Sequence, residues 1–139
     1  MKALLFQALI GERHIPLGLL YISKILEGKG VLVKICDPNL FLDSEGHGLI
    51  QEKTIRDLCG GFDLIGFSSY RYSFPADRAL MNYAKTPERT VIAGGWGPTI
   101  EPDLYLDNSP ADLLVLGVHM QALDTMGEIV DLLEGRINI

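Results

Sequence analysis

Five short apolar runs, separated by segments with helical spacing, organise the chain. Lys2 to Leu9 (KALLFQAL), Val31 to Cys36 (VLVKIC), Phe62 to Phe67 (FDLIGF), Thr90 to Ala93 (TVIA) and Leu113 to Leu116 (LLVL) are rich in Val, Ile, Leu and Phe. Runs of that length and composition, punctuated by Gly, Pro and Asp, predict strands. After the first run and a loop, Ile10 to Ile15, Pro16 opens a segment where Leu17, Leu20, Tyr21, Lys24 and Ile25 recur at close to 3.6 residues. Proline suits a first helical turn, and Gly28 or Gly30 supplies the stop. Further helices are expected over Leu49 to Leu58, Pro75 to Lys85 and Gln121 to Leu133, with a short helical turn within Thr99 to Asn108. The last helix sets Leu123, Met126, Ile129, Val130 and Leu133 on one face, ordinary core packing first and a docking surface second.

Short apolar strands joined by helices need crossover connections, so the sheet is expected to be mostly parallel with helices on both faces. The expected fold class is a doubly wound α/β domain, Rossmann-like or flavodoxin-like, with five strands in the order 2-1-3-4-5. Such a sheet keeps its ligand beyond the C-terminal ends of strands one and three. Four loops rim that crevice: Ile10 to Ile15, Ser68 to Phe74, Gly94 to Pro98 and Gly117 to His119.

Composition narrows the partners. At 139 residues with 47% hydrophobic content, the chain has the size of one domain spanning 1–139. A net charge of -6 has the wrong sign for a phosphate-backbone binder, and no basic patch offsets it, so a nucleic-acid partner is not expected. The apolar start, Ala3 to Ile10, is interrupted by Gln7, too short to span a membrane, and followed by no small-residue cleavage site. A cytoplasmic chain without a membrane partner is expected. Cys36 and Cys59 stand apart, outside metal or redox spacing, and read as buried thiols.

The stretch GGWGPT, Gly94 to Thr99, follows the fourth strand at the ligand rim. Its glycines either form a tight turn needing positive φ or bring the backbone close to a ligand. Other residues exclude several ligands. A dinucleotide site wants G-x-G-x-x-G after strand one, where this chain has IGERHI. A flavin phosphate loop would occupy the same place and is missing. A phospho-acceptor receiver needs acids ending strands one and three and a lysine ending strand five, whereas Ser68 and Gly117 stand at the latter two positions.

The ordered set IPLGLLYISKILEGKGVLVKICDPN, DLIGFSS, VIAGGWGPT and ADLLVLG resembles the cobalamin (B12)-binding domain found at the N-terminus of many radical S-adenosylmethionine enzymes. The resemblance runs from about Pro16 to Leu133. It implies cobalamin bound base-off, its nucleotide tail in the crevice, with Gly94 and Gly95 as the gap that admits the tail. It also implies that Ser68 or Ser69 meets the tail, that Thr99 meets the nucleotide, and that the corrin rests against Trp96, Tyr70 and Tyr72. With Gly97 and Gly117 on the same loops, the implied cofactor-binding set is Ser68, Ser69, Tyr70, Gly94, Gly95, Trp96, Gly97, Thr99 and Gly117. A rim loop packing on itself is the plainer reading of the aromatics.

Departures from the pattern bear on the cobalt. Domains of the methionine synthase type carry D-x-H-x-x-G after strand one, with the histidine as lower cobalt ligand. Glu12, His14 and Gly18 give E-x-H-x-x-x-G, one residue too long and with Pro16 inside, so no protein metal ligand is expected. His119 stands in GVHM where the family has a glutamate-glycine pattern, and His47 has no visible partner. A radical-SAM cluster needs C-x-x-x-C-x-x-C, which two cysteines cannot supply. The resemblance therefore places a 4Fe-4S cluster and S-adenosylmethionine in a separate catalytic domain, in cis or in trans. The ending MGEIVDLLEGRINI resembles the family's junction to that domain, so an N-terminal module of a longer protein is expected, a binding module and not an enzyme by itself. The alternatives are a non-catalytic α/β interaction domain that has lost the cofactor and a nucleotide-binding domain of another doubly wound family.

Overall fold

The structure is a computed structural model that describes residues 1–11, 15–42, 49–117 and 120–136. Strands β1 (Lys2–Phe6), β2 (Leu32–Cys36), β3 (Leu64–Ser68), β4 (Thr90–Gly94) and β5 (Leu113–Val115) pair in parallel in the order β2-β1-β3-β4-β5. Helices α1 (Leu17–Gly28), α2 (Glu52–Cys59), α3 (Phe74–Ala84), α4 (Trp96–Ile100), α5 (Pro102–Asn108) and α6 (Met120–Leu133) make the connections and the ending. This is the doubly wound α/β fold with the strand order expected from the sequence.

Pleating divides the strand residues between two cores. Leu4, Phe6, Ile65, Phe67, Val91 and Ala93 face one side, where they pack with Ile55 and Cys59 of α2, Leu80 and Met81 of α3, and Tyr105 of α5. Ala3, Leu64, Ile92 and Val115 face the other, against Leu26 of α1 and Met126 and Val130 of α6. Interior strands buried on both faces read as continuous apolar runs, which is why the runs were visible in the sequence. β2 lies at the edge, and its exposed residues include Leu32 and Lys34.

Three local departures from the sequence reading have physical causes. β1 ends at Phe6 although the apolar run continues to Leu9. Gln7 N–H still donates to Cys36 O at 2.9 Å, but Leu9 N–H turns away to the Asp77 carboxylate at 2.8 Å. Pro38–Phe41 form a 3-10 turn in which the Asp37 side chain accepts from Asn39 N–H. The stretch after β4, read as a loop, folds into α4, and the expected turn over Thr99 to Asn108 divides between α4 and α5. The break falls at Glu101, which has φ -129° and ψ 65°, because a residue preceding proline is disfavoured in the helical region. No helix among the described residues is long and apolar enough to cross a membrane.

Candidate functional site

A pocket of about 420 Å³ opens at the C-terminal edge of the sheet, on the side covered by α1 and α6. Its floor follows from strand register. Leu5, Gly66 and Ile92 are neighbours across β1, β3 and β4, and two residues nearer the rim Ser68, Gly94 and Val115 are neighbours across β3, β4 and β5. All six line the pocket, since side chains two apart on a strand share a face. The helices contribute Ile22 from α1 and Met126 from α6, and Pro16 and Leu17 bring the start of α1 to the rim. The cavity falls in the size range of small-molecule sites and is lined mostly by apolar side chains, with Gln7, Ser68 and Tyr70 among the polar ones.

Of the nine residues expected at the site, Ser68, Tyr70, Gly94, Gly95, Trp96 and Gly117 line this pocket. The Ser68 hydroxyl has no hydrogen-bond partner among the described residues. Trp96 is half exposed at the mouth. Tyr70 and Tyr72 stack on each other with ring centroids 5.3 Å apart, so the rim aromatics do pack among themselves.

Ser69, Gly97 and Thr99 lie behind the wall, where they hold the rim together. Ser69 N–H donates to Gly94 O and Ser69 O accepts from Gly97 N–H, both at 2.9 Å, which ties the loop after β3 to the start of α4. The Thr99 hydroxyl donates to Gly95 O at 2.7 Å and accepts from Gly117 N–H at 3.1 Å, joining the ends of β4 and β5. Each glycine of GGWGPT then has its own reason. Gly94 lies on the pocket face, where a Cβ would stand 3.3 Å from Val115 Cβ. Gly95 has φ 102° and ψ -165°, a conformation open essentially to glycine alone. Gly97 lies under Tyr105, whose hydroxyl would collide with any Cβ there.

Beneath the β3–α3 loop is a polar hub that sequence reasoning missed. Asp77 is 1% exposed, and its carboxylate accepts from Leu9 N–H at 2.8 Å and from the Ser69 and Ser73 hydroxyls at 2.6 Å each. Tyr105 Oη lies 2.7 Å from Ser69 Oγ and donates to Tyr70 O at 3.2 Å. Burial pushes the Asp77 carboxyl above its ordinary range, and the three hydrogen bonds oppose that shift. Burial likewise raises Tyr105, against the Ser69 hydrogen bond. A second hub, Asn39, holds the β1–α1 loop through bonds from Ile10 and Gly11 N–H and to Ala8 O. Both hubs join residues remote in sequence, which leaves no local signal. Gly66 was also overlooked, although glycine inside an apolar strand signals close approach to the backbone.

No group of three or more His, Cys, Asp or Glu among the described residues is placed to hold a metal ion. His14, His47 and His119 lie outside the described residues. Cys59 is buried and Cys36 partly so, and burial raises both thiols to about 11, far from a reactive thiolate.

The family model described as B12 binding domain matches residues 5–126. None of the curated proteins matches. Among solved structures, a flavodoxin from the domain Archaea is similar at 16% identity and a TM-score of 0.49, over 97% of this chain and 98% of that one. The family match spans both pocket walls, from Leu5 on the floor to Met126 on the covering helix, and the chain belongs to the B12 binding domain family, whose ligand is cobalamin.

Proposed function

We propose that this chain holds cobalamin base-off, with the nucleotide tail in the pocket between the sheet and the α1–α6 pair, and that it serves a radical-SAM catalytic domain in cis or in trans. The observation that carries the reading is the pocket itself, floored by Leu5, Gly66 and Ile92 under Ile22 and Met126 and bordered by Gln7, Ser68, Gly94 and Gly95. The residues fit the tail. Gly66 and Gly94 leave the sheet face low where side chains would fill it, and the Ser68 hydroxyl is available for a polar contact. Thr99 fixes the main chain of Gly95 and Gly117 at the mouth through its bonds to Gly95 O and from Gly117 N–H.

Bound cobalamin supplies a cobalt centre that can relay a methyl group or assist radical chemistry. The chain's own part is to position it. Leu5, Ile22, Ile92 and Met126 exclude water from the tail, Ser68 orients it, and Tyr70 and Trp96 flank the mouth where the corrin rests. The radical-SAM partnership draws on the ordered motif set, IPLGLLY to ADLLVLG, and places the 4Fe-4S cluster and S-adenosylmethionine in the partner domain. Mixing purified protein with hydroxocobalamin, removing the excess and recording the corrin absorbance tests the binding. Retained corrin bands are expected, and their absence would overturn the reading.

A further inference from the structure

We infer that the pocket floor selects the base of the nucleotide tail, admitting a benzimidazole and rejecting a purine; this rests on the base-off reading above. The floor row, Leu5, Gly66 and Ile92, carries no side-chain donor or acceptor, and neither do Ile22 and Met126 opposite. The main chain cannot substitute. β1, β3 and β4 are each paired on both sides, so their N–H and C=O groups are committed to the ladder. The side-chain polar groups nearest the floor, on Gln7 and Ser68, stand one row nearer the mouth, about 6 to 7 Å along the strands, together with main-chain groups at Gly94, Gly95 and Gly117. A dimethylbenzimidazole presents only methyl groups and ring carbons at its far edge. An adenine presents an exocyclic amine and ring nitrogens, which at the floor row, beyond Gln7 and Ser68, would be buried without partners. Gly66 sets the depth, because a Cβ there would lie 2.8 Å from Leu5 Cδ2 and force that side chain into the space.

Equilibrium titration of the chain with three corrinoids tests this: cobalamin, the cobamide bearing adenine as its lower base, and cobinamide, which has no nucleotide tail. Cobalamin is expected to bind most tightly, with the adenine form about 10- to 100-fold weaker, the discrimination an apolar pocket achieves against an added polar group. Cobinamide is expected to be weaker than cobalamin and indifferent to Gly66→Ala, which weakens cobalamin. Met126→Gln, which places an amide at the floor in a side chain of similar length, is expected to narrow the gap between the two bases several-fold. Equal affinity of the unsubstituted chain for cobalamin and the adenine form overturns the selection while cobalamin binding stands. Cobinamide binding as tightly as cobalamin puts the tail outside the pocket and overturns it too. Failure of all three to bind overturns the proposed function itself.

Discussion

The carboxylate of Asp77, in the first turn of α3, accepts a hydrogen bond from the main-chain N–H of Leu9, 2.8 Å away and 68 residues earlier in the chain. That bond draws the end of β1 against the loop that carries Ser69 and Tyr70. The same carboxyl group binds the Ser69 and Ser73 hydroxyls, so one buried side chain organises two of the loops around the pocket.

Burial of Asp77 has a pH signature. Its carboxyl is raised above the ordinary value of 3.8, so the folded chain holds this proton more tightly than the unfolded chain. The resulting contribution is fully present below the unfolded pKa and is lost as pH rises through the folded one. Urea unfolding of the wild type and Asp77→Asn from pH 4 upwards should show the wild type losing stability relative to the variant. A wild type that holds its stability or gains it relative to the variant as pH rises would mean that the hydrogen bonds outweigh burial. Asp77→Ala, which leaves Leu9 N–H and two hydroxyls without this acceptor, should cost about 1 to 3 kcal/mol or more at neutral pH.

The two glycines at the end of β4 should separate when replaced by alanine. Gly95 occupies a conformation costing other residues about 1 to 3 kcal/mol, and its Cβ would also lie 3.0 Å from Ser69 O. Gly95→Ala should therefore lower the unfolding midpoint whether or not ligand is present, and a valine there tests folding as much as binding. Gly94→Ala comes closest to Val115 Cβ, at 3.3 Å, in a strand backbone without positive φ, and should keep most of the stability. It adds a methyl group on the pocket face, so cobalamin affinity should fall about tenfold or more. Undiminished affinity in Gly94→Ala would remove this edge from the tail's path.

What could be read from the sequence follows the range of the forces involved. The strands and their order were legible because interior parallel strands must be apolar on both faces and crossover helices must be amphipathic. The rim residues Ser68, Gly94, Trp96 and Gly117 were legible because that strand order puts every loop after a strand at one edge. Helix α4 was not, since Gly95, Gly97 and Pro98 favour turns, and beside its helical bonds to Gly95 O and Gly97 O the segment is anchored by Ser69 O, from a loop remote in sequence. The inner pocket was hidden for another reason: Leu5, Ile92 and Met126 are indistinguishable in sequence from core. Ser69 was placed on the right loop, but its bonds to Asp77 and Tyr105 depend on packing that a local pattern does not encode.

The lower face of the cobalt offers a spectroscopic test of the base-off proposal. A nitrogen donor below Co(II) splits each line in electron paramagnetic resonance into a triplet, whereas oxygen or no donor does not. The E-x-H-x-x-x-G spacing of Glu12, His14 and Gly18 departs from the ligating pattern, and α1 begins at Leu17 immediately after Pro16. The reduced complex is expected to show no triplet. A triplet that vanishes in His14→Ala would identify histidine as ligand, and one that persists would indicate that the benzimidazole has stayed on the metal.

Ser68 and Ser69 are adjacent in sequence, and the fold gives them opposite surroundings. Ser68 lines the pocket with no hydrogen-bond partner for its hydroxyl among the described residues, so Ser68→Ala removes no bond seen there. Stability should stay within about 0.5 kcal/mol. The loss of one hydrogen bond to the tail, worth about 0.5 to 1.5 kcal/mol, should weaken cobalamin several-fold. Ser69 is 1% exposed, and its hydroxyl stands between Asp77 Oδ2 at 2.6 Å and Tyr105 Oη at 2.7 Å. Ser69→Ala leaves both without that partner in a buried site and should destabilise the fold by about 1 to 3 kcal/mol. Its effect on binding should come through the rim it supports and shrink when measured well below the unfolding transition. Denaturant melts and cobalamin titrations of the two variants check this together. Equal behaviour of the pair in both measurements would contradict the placement of one hydroxyl in the pocket and the other in the hub.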